Sequence, residues 1–154
     1  MTAKTGKSEP VGIAAPVIPK GSFASSAAIR SRMSSQRRRD TAPEIALRRT
    51  LHAMGLRYFI HRRPVPSLNR QADIVFPRAR VAVFVDGCHW HGCPEHGPKR
   101  HLTNGWYWSE KIASNVRRDR DTDQRLEASG WTVIRVWEHE GAAGAAQRIA
   151  DYLR

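Results

Sequence analysis

Cysteine, histidine and carboxylate side chains, the groups that bind metals and move protons in proteins, crowd into residues 83–96 of this chain. Cys88 and Cys93 are its only two cysteines, Asp86 precedes them, and His91 lies between them. Thiolates favour zinc, a carboxylate can bind Mg²⁺, and an imidazole can exchange a proton with water. On a basic chain, this combination predicts a metal-stabilised protein that does chemistry on a phosphate backbone.

Two histidines are predicted to complete a zinc site with Cys88 and Cys93. His96 follows the cysteines at a spacing typical of zinc ligands, and His139 lies just past a predicted strand, as Cys88 does. Two strands of one sheet would thus deliver ligands to one ion, and a Cys₂His₂ set is a closed, structural zinc site. A disulfide is the alternative, but the N-terminal residues lack the apolar region of a secretory signal, so we expect a reducing cytosol. A solvated His96 and a His139 that caps a strand remain open.

Three carboxylates form a candidate site for a hard cation. Asp73 lies inside an apolar predicted strand, where an unpaired charge is unfavourable. Asp86 ends the next predicted strand, and Glu44 lies in a predicted helix. Antiparallel pairing would place a carboxylate beside a backbone carbonyl, and such oxygen ligands suit Mg²⁺, which stabilises the charge that develops on a phosphodiester under attack by water. The alternative is that backbone amides satisfy Asp73 and Asp86.

His91 is the candidate general base or acid, because two zinc ligands would fix its backbone on either side. The long predicted helix offers a partner for it. Asp119 interrupts the apolar positions of that helix and therefore needs a compensating group. This group is either an arginine of the same helix or His91, oriented by a hydrogen bond as in other histidine–carboxylate pairs. The sequence leaves both open, and a His91 without a catalytic role is the further alternative.

Aromatic residues lie near basic ones on both sides of the predicted loop 94–105. They are Trp90, Trp106, Tyr107 and Trp108, close to Lys99, Arg100 and Lys111. Aromatic rings beside cationic groups can enter a base stack and kink a duplex. The alternative is core packing, although three consecutive aromatic residues cannot all face inward from one helix.

The charge balance points to a polyanionic partner. Lys and Arg total 26 against 14 Asp and Glu, a formal net charge of +12. Nucleic acid is the usual partner of such a chain, because each neutralised phosphate releases a counterion. No segment approaches the run of about 18 apolar residues that spans a bilayer. We expect a disordered tail over residues 1–30 and one domain over residues 31–154, which begins with a basic arm, residues 30–39.

Periodicity predicts an α/β domain with the order α-β-β-β-α-β-α. The predicted helices are 41–55, 106–128 and 142–153, and the predicted strands are 57–61, 72–76, 80–86 and 131–137. Thr41 and Glu44 form a capping-box pattern, and residues 77–79 form a tight hairpin turn. We expect a mixed sheet flanked by helices.

The chain resembles the very-short-patch repair (Vsr-type) DNA mismatch endonucleases over residues 33–140. The matching segments are 39–44, 72–76, 83–96, 108–112, 115–123, 130–131 and 136–139. The resemblance implies a restriction-endonuclease-like core with a structural zinc site. It implies Mg²⁺-dependent nicking of duplex DNA 5′ to the thymine of a T:G mismatch, which arises when 5-methylcytosine deaminates. We expect a monomer in a bacterial-type cytoplasm, associated with the nucleoid and not with a membrane, and the resemblance suggests mismatch-repair proteins and a cytosine methyltransferase as partners.

The resemblance also assigns roles by position. Asp73 resembles the family's Mg²⁺-binding aspartate, and the backbone carbonyl of Val85 would be a second ligand. His91 resembles the catalytic histidine that acts as general base on water, and Asp119 resembles its supporting carboxylate. Glu44 resembles a helix-borne acidic residue near the metals. The residues that resemble the aromatic wedges beside the mismatch are Trp90, Tyr107 and Trp108.

Several positions depart from the family pattern. His89 stands where Phe is usual, so an imidazole replaces one intercalating ring. Some members carry His where this chain has Asp86, which therefore either contacts metal or only shapes the site. Cys93 and His96 stand where some members have a His and then a Cys, and His139 stands where others have Cys.

Two other functions fit the same residues. A zinc-stapled DNA-binding module without cleavage would keep the charge, the aromatic residues and the cysteine loop, but would gain nothing from Asp73 inside a strand. A nuclease of the same fold with another DNA target would keep the catalytic groups as well.

Overall fold

The structure, a computed structural model, describes residues 39–97 and 105–154. The expected tail over residues 1–30, nearly all of the basic arm and residues 98–104 lie outside this part. The elements in chain order are α1 (Ala42–Ala53), β1 (Phe59–Arg62), β2 (Ala72–Phe76), β3 (Val81–Asp86), α2 (Gly105–Ala128), β4 (Thr132–Trp137) and α3 (Ala142–Leu153). The predicted order is confirmed. β1 begins two residues later than predicted because the preceding residues form no ladder.

One mixed sheet, ordered β1-β2-β3-β4, forms the centre of the domain. β1, β2 and β3 are antiparallel neighbours, and β4 runs parallel to β3. The parallel pair needs a long crossover, and α2 provides it. The carboxyl ends of β3 and β4 therefore meet at one edge of the sheet, where Asp86 pairs with Trp137.

Helices cover both faces of the sheet, so β2 and β3 are buried on both sides. The residues buried on the face covered by α1 and α3 include Leu47, Leu51, Ile74, Val83, Val136 and Ile149. The face covered by α2 carries a second buried cluster, which includes Val75, Ala82 and Leu126. Asp86, His91 and Asp119 lie on the second face, between the sheet and α2, whereas the candidate Glu44 lies in α1.

The start of α1 corrects the predicted capping box. The Thr41 hydroxyl donates to the Glu44 carboxylate at 3.1 Å instead of accepting a helix N–H, and no side chain caps the helix. Glu44 accepts the backbone N–H of Asp40 at 3.0 Å. Glu44 is buried and also accepts from Arg48 at 2.8 Å, so its carboxylate is occupied by pairing with that arginine.

Helices long and apolar enough to cross a bilayer do not occur in the described ranges 39–97 and 105–154.

Candidate active site and zinc site

The loop that follows β3 folds back onto the edge where β3 and β4 end. The Glu138 N–H donates to the Asp86 carbonyl at 2.9 Å, which extends the parallel ladder past both strands. The Glu138 carboxylate accepts the Cys88 N–H at 2.8 Å. The first residues of the loop and the residues after β4 are thereby held side by side, as the proposed sharing of ligands between two strands requires.

The four predicted zinc ligands come together. The ligand atoms of Cys88, Cys93, His96 and His139 lie within 4.8 Å of one another. The His139 Nδ1 atom is 3.1 Å from the Cys88 Sγ atom and 3.7 Å from the Cys93 Sγ atom. Donor atoms around a tetrahedral zinc ion lie about 3.3–3.8 Å apart, given bonds of about 2.0–2.3 Å.

The chemistry of this donor set also fits zinc. Both cysteines are free thiols and buried, with 5% and 4% of their surfaces exposed. Burial, together with the neighbouring Cys93 thiol, raises the pKa of Cys88 to about 11, so an ion that binds here must displace its proton. The Cys93 sulfur accepts the backbone N–H of His96 at 3.4 Å, and the rings of His96 and His139 are 4.3 Å apart. The expectation that His96 and His139 join the cysteines is consistent with this geometry and stays a prediction.

Gly92 fits the loop against α2. Its φ angle is +68°, in the left-handed region, and a Cβ atom there would lie 3.2 Å from a methyl carbon of Val116. Glycine supplies both the backbone conformation and the close approach. The Asn115 side chain donates to the Trp90 carbonyl at 2.9 Å, so a second residue of α2 holds the same loop. His91, between Trp90 and Gly92, is thereby fixed relative to the helix.

His91 and Asp119 form a hydrogen bond between Nδ1 and Oδ2 at 2.6 Å. Of the two partners left open for Asp119, the structure therefore places His91 in contact with it. Burial opposes a charge on His91, but the bond to Asp119 and the negative charges of Asp86 and Asp119 outweigh it and raise the pKa of the imidazole above its usual 6.5. The bond also leaves Nε2 as the ring nitrogen that can exchange a proton.

Asp73 accepts the Val85 backbone N–H at 2.7 Å through Oδ2. This contact is the amide satisfaction considered as an alternative, yet it does not neutralise the charge. Burial raises the pKa of Asp73 to about 6, and the nearby charges of Glu44 and Asp86 add to the effect. A half-buried carboxylate near other carboxylates is what a divalent cation would compensate. The carboxylates of Asp73 and its neighbours offer oxygen ligands only, and such ligands suit Mg²⁺.

Asp86 is buried and bound by an arginine that the sequence reasoning missed. The Arg135 Nη1 atom is 2.8 Å from Oδ2 and 3.1 Å from Oδ1 of Asp86. The available signal was the position of Arg135 within an apolar strand, the criterion that singled out Asp73. His91 Nδ1 lies 3.7 Å from the Asp86 carboxylate. These contacts favour the shaping role of Asp86 over contact with metal.

A second cluster lies at the start of α1, and sequence reasoning missed all of it except Glu44. Its ligand-type groups are Asp40, Glu44 and His61, whose atoms lie within 4.8 Å of one another. Arg48 binds the two carboxylates at 2.6 and 2.8 Å and lies 3.0 Å from His61 Nε2. A guanidinium thus already supplies positive charge among them. The cluster keeps Glu44 close enough to Asp73 for their charges to interact.

The aromatic candidates contact one another edge-on or at a tilt beside the loop that follows β3. The ring of Trp90 is 4.6 Å from that of His89 and 5.6 Å from that of Trp108. Tyr107 lies 5.2 Å from Trp108 at an angle of 75°. Trp106 is 57% exposed, so at least one of the three consecutive aromatic residues faces outward, as expected. The aromatic group lies beside the His91 segment and not in either buried core.

Comparison with known proteins identifies relatives of this chain. The family described as DNA mismatch endonuclease Vsr matches residues 25–96. Type II nicking enzyme V.NaeI of Lentzea aerocolonigenes is 48% identical, over 79% of this chain and 74% of that protein. Type II nicking enzyme V.XorIIP of Xanthomonas oryzae is 42% identical, over 70% and 77%. DNA mismatch endonuclease Vsr of Escherichia coli K12 is 37% identical, over 65% and 62%.

Among solved structures, the catalytic domain of homing endonuclease I-Bth0305I superimposes with a TM-score of 0.50. The match covers 73% of this chain and 94% of that one at 19% identity. A likeness at this identity shows a shared fold. It supports the expected arrangement of a mixed sheet flanked by helices.

Proposed function

Because this chain belongs to the Vsr family of endonucleases and is thus a DNA-hydrolysing enzyme, we propose that it nicks one strand of duplex DNA 5′ to the thymine of a T:G mismatch. The reaction is the Mg²⁺-dependent hydrolysis of one phosphodiester bond. The observation that carries the proposal is the 2.6 Å bond between His91 and Asp119, on the same face of the sheet as Asp73. A protein that only binds DNA has no use for an imidazole that a carboxylate orients in this way.

His91 acts as general base in this proposal. Asp119 holds the Nδ1–H tautomer, so that Nε2 carries the lone pair that accepts a proton from the attacking water. Asp86 lies 3.7 Å from Nδ1 and favours the imidazolium that forms when the proton is taken up. The raised pKa of His91 makes it a stronger base than a free imidazole. The loop and Gly92 keep the ring in place, so little reorganisation accompanies the step.

Asp73 and the backbone carbonyl of Val85 are the proposed Mg²⁺ ligands, with Glu44 near enough to add negative charge. When bound, Mg²⁺ supplies stabilisation of the charge that develops on the phosphate oxygens. The Asp73 carboxylate is anchored by the Val85 N–H, so side chain and neighbouring strand move as one unit. Asp73 must be ionised to bind a cation, and its pKa of about 6 allows this at neutral pH.

Zinc is proposed as the structural ion, bound by Cys88, Cys93, His96 and His139. The set has four protein donors and thus leaves no position for a substrate. Its role is to fix the loop that carries His91.

The proposed contacts with the mismatch come from the aromatic group beside that loop: His89, Trp90, Tyr107 and Trp108. Rings of this kind enter a base stack most easily where pairing is weak, and a mismatch is such a place. The formal charge of +12 supplies the phosphate contacts that position the duplex.

A nicking enzyme with a different target is the second candidate. The observation in its favour is that the relatives V.NaeI and V.XorIIP are named Type II nicking enzymes. The catalytic residues would be the same, whereas the aromatic contacts would select another mismatch or sequence context.

Strand-resolved cleavage distinguishes these proposals. End-labelled duplexes that carry either a T:G mismatch in a cytosine-methylation context or the matched pair are incubated with the zinc-replete protein and Mg²⁺. We expect a nick 5′ to the thymine in the mismatched duplex alone. Cutting of both duplexes, or of neither while a duplex with another mismatch or sequence context is cut, would favour the second candidate. Binding without cutting of any of these duplexes would favour the DNA-binding module.

Single substitutions test the site in the same assay. His91→Ala and Asp73→Asn should abolish nicking and leave binding of the duplex intact. His52→Ala is the matched control, since His52 is an exposed histidine of α1 away from the proposed site. An Asp73→Asn protein that still cuts would end the assignment of the Mg²⁺ site.

Cellular context follows from the same proposal. We propose that the protein acts as a monomer in a bacterial-type cytoplasm, because one active site suffices to nick one strand. Repair of a deaminated 5-methylcytosine would link it to a cytosine methyltransferase and to mismatch-repair proteins. Mass measurement in solution with and without a mismatched duplex tests the monomer.

A further inference from the structure

Arg135 is a largely buried arginine on the face of β4 that α2 covers, with 21% of its side chain exposed. Its guanidinium binds carboxylates from two elements. It donates to Asp86 at the end of β3 at 2.8 and 3.1 Å, and to Asp123 in α2 at 2.7 and 3.0 Å. It also lies over the ring of Phe84, 4.8 Å from its centroid.

The same guanidinium contacts the residue that holds His91. Its Nη2 atom donates to the backbone carbonyl of Asp119 at 3.2 Å, and its Nη1 atom lies 3.5 Å from the Asp119 carboxylate. The other oxygen of that carboxylate accepts the His91 bond at 2.6 Å. Arg135 is therefore in contact with both the main chain and the side chain of the residue that orients the imidazole.

Charge balance makes a cation necessary at this point. Asp86, Asp119 and Asp123 converge between the sheet and α2, and their mutual repulsion would push the helix away from the sheet. Burial opposes the charge of Arg135, but the bonds to Asp123 and Asp86 outweigh it and raise the pKa of the guanidinium. The cation is thus permanently present, unlike that of a histidine.

We propose that Arg135 is a positioning residue for strand nicking: it fixes Asp119 between α2 and the sheet so that Asp119 holds His91 in its reactive orientation. The inference rests on the proposed function, in which His91 is the base. In this proposal Asp86, from β3, and Asp123, from α2, are the carboxylates that hold the Arg135 guanidinium in place.

Positioning of Asp119 requires several hydrogen-bond donors that point in different directions from one rigid group. Three nitrogens of Arg135 reach Asp86, Asp123 and the Asp119 carbonyl in different directions from one planar group. A lysine ammonium is a single point and cannot occupy these positions together. Arg135→Lys should therefore keep the charge and the fold but lose the positioning.

Single-turnover nicking, measured with saturating protein and Mg²⁺ on the duplex that the wild type cuts, tests the proposal. Arg135→Met should lower the rate constant about 100-fold, as displacement of a catalytic group does, and Arg135→Lys at least about 10-fold. The Kd for the duplex, measured without Mg²⁺, should change less than about 3-fold. The matched control is Arg70→Met, because Arg70 also binds α2, through Asp121 and Thr122, but away from His91. Its rate should stay within about 3-fold of wild type at a similar loss of thermal stability.

A double-mutant cycle separates positioning from general stabilisation. In an Asp119→Asn background, Arg135→Met should cost less than about 5-fold, because the residue it positions is already impaired. An equal loss in both backgrounds would overturn the proposal, since a merely structural role acts in each. An Arg135→Lys protein at the wild-type rate would overturn it too, and this variant also decides the matter if Arg135→Met does not fold.

Asp119→Asn distinguishes a failure of the proposed function from a failure of the role of Arg135. If Asp119→Asn nicks at the wild-type rate, the role of the His91–Asp119 pair fails, and this inference fails with it. If Asp119→Asn is slow and Arg135→Met is not, the proposed function stands and the role of Arg135 alone is refuted.

Discussion

Replacement of the Asp73 carboxylate by an amide should make the metal-free protein more stable while it abolishes nicking. The carboxylate is half-buried near the charges of Glu44 and Asp86, and its pKa rises from 3.8 to about 6. A shift of one unit corresponds to about 1.36 kcal/mol, so the ionised group costs the folded state about 3 kcal/mol at pH 7.5. Asp73→Asn removes this cost, and its side-chain oxygen can still accept the Val85 N–H. We therefore expect a gain of about 2–3 kcal/mol in the free energy of unfolding.

The pH dependence of that gain follows from the direction of the shift. Because the pKa in the folded state exceeds that in the unfolded state, the folded protein binds the proton more tightly between pH 3.8 and about 6. The contribution of Asp73 to stability is therefore least unfavourable at low pH and worsens as pH rises through about 6. The advantage of Asp73→Asn should be full at pH 7.5, shrink as pH falls through 6, and vanish near pH 4.

Denaturant unfolding in buffer without Mg²⁺ and without chelator, so that zinc is retained, measures this effect. Asp151→Asn is the matched control: Asp151 is an exposed carboxylate of α3, and its replacement should leave stability unchanged. Added Mg²⁺ should stabilise the wild type and not Asp73→Asn. A variant that is less stable than wild type, or a gain that does not depend on pH, would refute the electrostatic reasoning.

Three further predictions concern the loop and its histidine. With saturating Mg²⁺, the nicking rate should rise with pH through a His91 pKa above 6.5, and Asp119→Asn should move this limb to lower pH while it lowers the plateau; an unmoved limb would contradict the pairing. Cys88→Ser should lose zinc, as elemental analysis would show, and unfold at a lower temperature, because structural zinc contributes folding energy; a zinc-free wild type would exclude the site. Gly92→Ala should cost about 1–3 kcal/mol in denaturant unfolding, since its φ is +68° and the new methyl group would meet Val116; no loss would argue against the close packing of loop and helix.

Local patterns in the sequence are sufficient to predict most of the elements. The bounds of β2 and α3 agree with the prediction, because an apolar run between turn residues and an alanine-rich amphipathic segment are local signals. The predicted hairpin between β2 and β3 is confirmed. The capping box at Thr41 is wrong because Glu44 pairs with Arg48 and Asp40, and this competition depends on burial that a four-residue pattern does not contain.

The partner of Asp119 marks the limit of the sequence argument for the candidate site. Helical spacing shows that Asp119 lies on the same face as Val116 and Leu126, and so predicts that it needs a partner. The choice between an arginine of the same helix and His91 depends on where the loop after β3 lies relative to α2. Gly92 and Asn115 determine that placement through tertiary contacts. The identity of the partner is therefore a property of the packing of loop and helix.

Arg135 shows that roles assigned to residues from matching positions in a family can leave out a residue of the site. Some members of the family carry His where this chain has Asp86, and that departure by itself left the role of Asp86 open. The register of β3 and β4 sets Arg135 opposite Phe84 and beside Asp86. The orientation of α2 brings the Asp123 carboxylate to the same guanidinium. The Asp86 carboxylate next to His91 and Asp119 requires a cation, and Arg135 contacts both Asp86 and Asp119. Departures from a family pattern are thus best interpreted as sets of contacting residues, because the charge of one is stable only through the charge of another.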